Sequence, residues 1–153
     1  MLDIGDTAPS FTLPGNGGST ISLPSGKPTV LFFYPKDDTP GCTTEAKEFS
    51  AALADFAALG VSVVGLSPDP AAKHDKFVAK HDLSVPLASD EELQALNAYG
   101  VWVEKSMYGK TYMGVERSTF LIDAQGKIVE MWRKVRVKGH VEKVLEAVSN
   151  HFG

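Results

Sequence analysis

Residues 29–45 read TVLFFYPKDDTPGCTTE and place an apolar run, a polar turn and a helix start in direct succession. The run Thr29–Tyr34 has the length and composition of a central strand covered on both faces. In the turn that follows, Thr39 is a suitable N-cap and Pro40 a suitable first helical residue. The stretch therefore predicts a strand–turn–helix unit with the only cysteine, Cys42, in the first helical turn.

Hydrophobic periodicity extends this unit in both directions. Upstream, Phe11–Leu13 and Thr20–Leu23 flank a Gly/Ser-rich stretch and predict a β-hairpin. Residues 101–115 show no clear period, and we expect a long loop there. The other predicted elements are strands at 61–66, 85–88, 118–122 and 127–132, and helices from Pro40 to Gly60, at 71–81, at 90–99 and at 141–152. This order predicts an α/β fold, with a mixed central sheet flanked by helices on both faces, in one domain over residues 1–153.

Length and composition exclude several classes of protein. The chain has 153 residues, 43% of them hydrophobic, and 15 Lys and Arg against 19 Asp and Glu give a net charge of −4. Such a chain is too apolar for disorder, and its mild negative charge argues against nucleic acid or an anionic membrane as the main partner. One cysteine excludes an intrachain disulfide and a cysteine-rich zinc site.

We expect no targeting segment at the N-terminus or in the apolar runs. Met1–Asp6 contains acidic residues and no apolar run, so we expect no secretory signal. The longest aliphatic and aromatic stretch, Val30–Tyr34, is far too short to span a bilayer. A protein of the reducing cytoplasm is the expectation.

The predicted position of Cys42 gives this thiol two possible roles. At a helix start the thiol faces unpaired backbone N–H groups and the positive end of the helix dipole, which favour the thiolate. A free cysteine is also commonly a small buried hydrophobe without chemistry. Position alone leaves both interpretations open.

Other catalytic and metal-binding motifs are incomplete. A dithiol motif Cys-x-x-Cys would need a second cysteine where Glu45 stands. Gly109–Thr111 resembles the end of a phosphate-binding loop, but Glu104 occupies the position of the required earlier glycine. No metal or cofactor is predicted, and a Cys–His hydrolase has no positive support. Four scattered histidines are expected to be surface or hydrogen-bonded helix residues: His74, His81, His140 and His151.

The segment around Cys42 resembles the active-site signature of the peroxiredoxins, in which Pro-x₃-Thr-x₂-Cys frames the reactive cysteine. Here the pattern is Pro35, Thr39 and Cys42. The resemblance is greatest to the bacterioferritin comigratory protein (peroxiredoxin Q) subfamily and covers nearly the whole chain. Further matching segments are Gly5–Phe11, Gly100–Trp102, Gly109–Tyr112 and Arg117–Asp123.

This resemblance implies a thioredoxin-like fold and the reduction of hydroperoxides. The Cys42 thiolate would attack a peroxide oxygen and become a sulfenic acid. Arg117 would neutralise the thiolate and the charge on the departing oxygen, while the Thr39 hydroxyl and the Cys42 N–H would hold the peroxide in line. Pro35 would shield the site from water. Each residue also has an ordinary structural explanation, and for Thr39 we expect both helix capping and substrate contact.

Several neighbouring residues have less definite roles. Glu45 is expected to orient the arginine, or to be an acidic residue favoured by the helix dipole. Trp102, Tyr108 and Tyr112 are expected to line the substrate site or to anchor a loop in the core.

The sequence departs from the subfamily at the resolving cysteine. Many members carry this second cysteine five residues after the first, where this chain has Lys47, and the predicted helix at 71–81 holds none either. The resemblance therefore implies a one-cysteine peroxidase recycled by thioredoxin, by glutaredoxin with glutathione, or by another thiol. It also suggests a monomer or weak homodimer. The alternative is a redox sensor or binding module that uses the same oxidation of Cys42.

Overall fold

Nine strands and four α-helices follow one another along residues 1–153, all of which the computed structural model describes. The strands are β1 (Phe11–Pro14), β2 (Thr20–Leu23), β3 (Thr29–Phe33), β4 (Ser62–Ser67), β5 (Leu87–Ser89), β6 (Trp102–Met107), β7 (Lys110–Val115), β8 (Ser118–Ile122) and β9 (Ile128–Trp132). The helices are α1 (Pro40–Ala58), α2 (Ala71–His81), α3 (Gln94–Ala98) and α4 (His140–Phe152). None of the four helices combines the length and hydropathy that a membrane crossing requires.

The central sheet has five strands in the order β5-β4-β3-β8-β9. Strand β3 pairs in parallel with β4 and antiparallel with β8, so the sheet is mixed. The register of the antiparallel pair sets Phe33 at the end of β3 opposite Ser118 at the start of β8. This register brings the residue before Ser118 beside the turn that leads into α1.

Side chains of β3 alternate between two apolar cores because successive strand residues face opposite sides. Val30 and Phe32 pack with residues of α1, α4 and α2, and the ring of Phe32 stacks on Phe49 at a centroid distance of 4.4 Å. Leu31 and Phe33 pack on the other side with residues of α3 and of the β1–β2 hairpin. All five residues of β3 are buried, as a strand covered on both faces requires. The predicted mixed sheet with helices on both faces is confirmed.

The prediction of a loop at 101–115 is wrong, because β6 and β7 form an antiparallel hairpin there. Its two-residue turn is Tyr108-Gly109, and both residues have positive φ, 53° and 78°. This geometry matches the right-handed strand twist and is usually formed by Asn-Gly or Asp-Gly, so tyrosine obscured the turn. Most residues of the hairpin are exposed or half-buried, which explains the missing hydrophobic alternation.

The helix predicted at 90–99 is shorter than expected and covers Gln94–Ala98. Leu93 has a left-handed backbone with φ 62°, so the helix cannot extend upstream through it. The Asp90 carboxylate instead accepts hydrogen bonds from the backbone N–H groups of Gln94 and Leu96. The remaining predicted elements are observed with ends that agree within about two residues.

Candidate active site

Cys42 lies in the first turn of α1, as the sequence predicted, and its residue surface is 2% exposed. Thr39 occupies the N-cap position with extended backbone, and its carbonyl accepts the hydrogen bond of the Thr43 N–H. Its side chain makes no capping bond, so the expected hydroxyl cap is wrong. The Thr39 hydroxyl instead donates to the carbonyl of Lys36 at 2.8 Å. This leaves the lone pairs of the hydroxyl oxygen free to accept a hydrogen bond.

Arg117 contacts this helix start although it lies 75 residues after Cys42 in the sequence. It lies between β7 and β8, next to Ser118, and the β3–β8 register therefore brings it to the turn before α1. Its Nη2 donates to Cys42 Sγ at 3.2 Å, and its Nη1 donates to Glu45 Oε1 at 2.6 Å. One guanidinium thus bridges the sulfur and a carboxylate one helical turn further on.

The pairing keeps Arg117 charged. Burial alone lowers the pKa of this guanidinium, but the charges of Glu45 and Cys42 and their hydrogen bonds outweigh burial and raise the pKa. A fixed positive charge 3.2 Å from a sulfur stabilises its anionic form. Arg117 therefore presents a positive charge directly to the Cys42 sulfur.

Glu45 is fully buried on the inner face of α1. Burial raises the pKa of this carboxyl to about 7, against the opposing attraction and hydrogen bond of Arg117. Its second oxygen, Oε2, is buried without a hydrogen-bond partner. Of the two roles expected from the sequence, the contact fits the one in which Glu45 orients the arginine.

A second cation approaches the site from the β6–β7 hairpin. Burial and the charge of Arg117 lower the pKa of the Lys105 ammonium, while the charges of Cys42 and Glu116 raise it. Burial has the largest effect, so the pKa of Lys105 is lowered overall. The sequence interpretation missed this residue because it assigned the whole hairpin to a loop.

Pro35 and the three aromatic residues have different environments. Pro35 is half-buried directly after Tyr34 at the end of β3. Trp102 is half-buried and packs against the core that contains Phe33, which fits the anchoring role. Tyr108 is 97% exposed at the hairpin tip and Tyr112 is 45% exposed, so neither is anchored in the core, and Tyr108 does not wall a substrate site.

The buried histidines are hydrogen-bonded residues. His140 Nε2 lies 2.8 Å from the Thr119 hydroxyl, and burial together with the charges of Arg117 and Lys143 lowers the pKa of His140 to about 4. His74 is bonded to Asp37 and to the carbonyl of Ala88. No group of three or more His, Cys, Asp or Glu side chains is arranged to hold a metal ion.

Comparison with known proteins assigns this geometry to a family. The family model described as the AhpC/TSA family matches residues 4–131. The chain is 47% identical over 151 residues to Peroxiredoxin Bcp of Bacillus subtilis (strain 168), which covers 97% of this chain and 96% of the relative. The chain belongs to the AhpC/TSA family and is a peroxiredoxin.

Solved structures place this peroxiredoxin in the Bcp/PrxQ subfamily with a thioredoxin-like fold. A PrxQ mutant of Xylella fastidiosa superposes with a TM-score of 0.93 at 40% identity and covers 99% of this chain and 98% of that one. The bacterioferritin comigratory protein of Xanthomonas campestris, studied for its alkyl peroxide reduction activity, gives a TM-score of 0.88 at 43% identity. That match covers 94% of this chain and 92% of the other. Peroxiredoxins are thiol peroxidases, and this protein is therefore a peroxidase enzyme.

Proposed function

We propose that Cys42 is the residue that reacts with the peroxide, and that Arg117, Thr39 and Pro35 form its substrate pocket. The observation that carries this assignment is the Arg117 guanidinium 3.2 Å from the Cys42 sulfur, held by a buried carboxylate. Burying an arginine beside a cysteine costs desolvation free energy, and a cysteine that only packs in the core does not require such a contact. The proposed set of four residues also favours an enzyme over a redox sensor, because sensing needs no optimised peroxide pocket.

The proposed reaction is a displacement on oxygen. The Cys42 thiolate attacks the terminal oxygen of a hydroperoxide, the S–O bond forms and the O–O bond breaks. Sulfur is oxidised to a sulfenic acid, and the leaving alkoxide or hydroxide takes a proton to become an alcohol or water. Arg117 stabilises the negative charge as it moves from sulfur to the departing oxygen.

Thr39 and Pro35 would arrange the substrate for this attack. Since the Thr39 hydroxyl already donates to Lys36, its oxygen is free to accept the O–H of a hydroperoxide. Pro35 has no N–H and so offers water no donor beside the sulfur. Hydrogen peroxide and organic hydroperoxides are the proposed substrates, and the alkyl peroxide activity of the Xanthomonas relative supports the second class.

The reducing half of the cycle requires a second molecule. With one cysteine in the chain, an external thiol must attack the sulfenic sulfur, releasing water and forming a mixed disulfide. A second thiol then frees Cys42. We propose thioredoxin, glutaredoxin with glutathione, or another thiol as the reductant, cytoplasmic redox homeostasis as the setting, and a monomer or weak homodimer as the working form.

Intact-mass spectrometry after treatment with one equivalent of peroxide tests this assignment. The expected product carries one added oxygen at Cys42, and thiol reductants should restore the original mass over repeated cycles. The Cys42→Ser variant is the control and should gain no oxygen. Oxygen addition elsewhere would refute the assignment of Cys42, and oxidation without thiol-dependent turnover would favour the sensor.

Gly41→Ala is a finer test of the arginine contact. A Cβ at position 41 would lie 3.3 Å from Arg117 Nη2, so the guanidinium would have to shift by a few tenths of an ångström. We expect peroxide oxidation of Cys42 to slow by about threefold to tenfold, because the hydrogen bond to sulfur lengthens. Thermal unfolding should show no loss of stability, since alanine is the better helix former. An unchanged peroxide rate would show that the guanidinium has room to adapt.

A further inference from the structure

A buried polar network lies beside the turn that precedes Cys42. Its centre is the pair of Asp37 in the turn and His74 on α2, whose side chains are both 0% exposed. Asp37 Oδ2 lies 2.6 Å from His74 Nδ1, and Asp37 Oδ1 accepts the hydroxyl of Tyr34 at 2.5 Å. The carboxylate is therefore bonded on both oxygens by side chains from two different elements.

The same network fixes the backbone of the turn and the position of α2. The Asp37 N–H donates to Asp69 Oδ2 at 2.8 Å, and the Ser67 hydroxyl donates to that same oxygen. On the other side, His74 Nε2 lies 2.9 Å from the carbonyl of Ala88 in β5. Because a carbonyl only accepts, Nε2 carries a hydrogen. The imidazole thus connects the edge strand of the sheet to the turn.

Asp37 is connected to the proposed peroxide pocket through adjacent residues. It lies between Pro35 and Thr39, and the carbonyl that accepts the Thr39 hydroxyl belongs to Lys36, its direct neighbour. Fixing Asp37 therefore fixes the carbonyl that aims the Thr39 oxygen. Neither Asp37 nor His74 is placed in contact with Cys42 or with Arg117.

Stability alone is a poor reason for such a pair. Burying ionisable side chains costs several kcal/mol each before their contacts repay it, and apolar residues of similar size often stabilise a core as well or better. The network also borders an apolar core, in which the ring of Tyr34 lies 6.4 Å from that of Phe77. What an apolar pair cannot supply is directional hydrogen bonds that set the turn in one geometry.

We propose that Asp37 and His74 are positioning residues for the peroxide reaction: they hold the Pro35–Thr39 turn so that the Thr39 oxygen and Pro35 face the Cys42 sulfur. This inference rests on the proposed function of those residues. A displacement of about 1 Å in a reacting geometry costs on the order of 100-fold in rate. A loose turn should therefore impair attack on a peroxide, which needs oriented oxygens, more than it impairs the thiolate itself.

A second aspartate on the same turn provides a matched control. Asp38 contacts His81 Nε2 and Lys80 Nζ, each at 2.7 Å, and its side chain is 39% exposed. This outer pair also joins the turn to α2, but exposed ion pairs contribute only about 0–1 kcal/mol. Replacing His81 on α2 removes this aspartate–histidine contact without altering the buried network or the left-handed backbone of Asp38, which has φ 62°.

The experiment compares the rates at which Cys42 reacts with peroxide and with iodoacetamide in the whole protein. Iodoacetamide needs a thiolate but no oriented pair of oxygens. We expect Asp37→Ala to slow the peroxide reaction by about 100-fold and the alkylation by less than about threefold. Asp37→Asn should restore the rate to within about threefold of the original protein, because its amide group still accepts from Tyr34 and donates to His74. His81→Ala should leave both rates unchanged.

The two reagents separate positioning from other roles. An unchanged peroxide rate in Asp37→Ala, or equal slowing of both reactions, would overturn the proposal, and so would an Asn variant as slow as the Ala variant. If circular dichroism shows that Asp37→Ala does not fold, Tyr34→Phe removes one bond to Asp37 and keeps the ring. That variant should slow only the peroxide reaction, by about threefold to tenfold. An unchanged peroxide rate in Tyr34→Phe would contradict the positioning role. Failure of the unmodified protein to oxidise at Cys42 would refute the proposed function instead.

Discussion

Replacing Arg117 by alanine is expected to slow the oxidation of Cys42 by peroxide by about 10²- to 10³-fold. This is the loss found when a single group that stabilises a developing anion is removed from a preorganised site. In the proposed mechanism, Arg117 acts first on the Cys42 thiolate, whose sulfur lies 3.2 Å from its Nη2, and then on the departing oxygen. Stopped-flow measurement of the second-order rate constant with hydrogen peroxide would give the value directly.

Two further variants separate a specific contact from a general loss of positive charge. Arg133→Ala is the matched control, because Arg133 is also part-buried and paired with a carboxylate, that of Glu116 at 2.9 Å, with no contact to sulfur. It should retain the rate. The rate constant of Arg117→Lys should lie between those of Arg117→Ala and Arg133→Ala. One ammonium group cannot contact both Cys42 and Glu45 as the planar guanidinium does. Equal rates for Arg117→Ala and Arg133→Ala would contradict the proposed role of Arg117.

Replacing Glu45 by glutamine is expected to stabilise the protein increasingly as the pH rises. The pKa of Glu45 is raised from 4.5 to about 7 in the folded chain, so the folded state binds more protons than the unfolded state in this window. Stability supplied by Glu45 is therefore present below the unfolded pKa and is lost as the pH rises through about 7. The cost approaches about 3 kcal/mol once the buried carboxyl ionises. Glutamine removes this cost and still accepts a hydrogen bond from Arg117.

Urea unfolding at several pH values would measure the effect. The advantage of Glu45→Gln over the original protein should grow by about 3 kcal/mol between pH 4 and pH 8. His140, whose lowered pKa gives a slope of opposite sign, is present in both proteins and cancels in the comparison. Glu146→Gln, on an exposed position of α4 and away from Glu45, should show no such trend. A difference that is constant with pH would show that Glu45 is ionised throughout.

The sequence predicted the central elements because their burial leaves a strong pattern. The uninterrupted apolar run of β3 and the apolar stripe of α4, with Val141, Val144 and Val148 buried, follow directly from one element facing a core. The β6–β7 hairpin escaped detection because water covers most of its surface and a tyrosine takes a positive-φ turn position. Without a buried face, a strand has no periodicity to read.

The site was only partly accessible to the same reasoning. Cys42 and Thr39 are local features of a helix start, so chain position located them. The contact of Arg117 with Cys42 spans 75 residues and depends on how β3 and β8 pair, a choice that residue types do not determine. The Asp37–His74 pair, 37 residues apart, was unpredictable because it also depends on tertiary packing. The sequence around a helical histidine does not indicate which residue it will bond.

The solitary, buried position of Cys42 has a kinetic consequence. In the proposed mechanism, the Cys42 sulfenic acid has no partner in its own chain and persists until an outside thiol reaches a residue that is 2% exposed. During that interval a second peroxide competes with the thiol and converts sulfur to the sulfinic acid, which ordinary thiols do not reverse. The ratio of peroxide to reductant thus sets the number of turnovers each molecule completes before inactivation. A burst of oxidant would switch this enzyme off, whereas a slow, steady supply would leave it working.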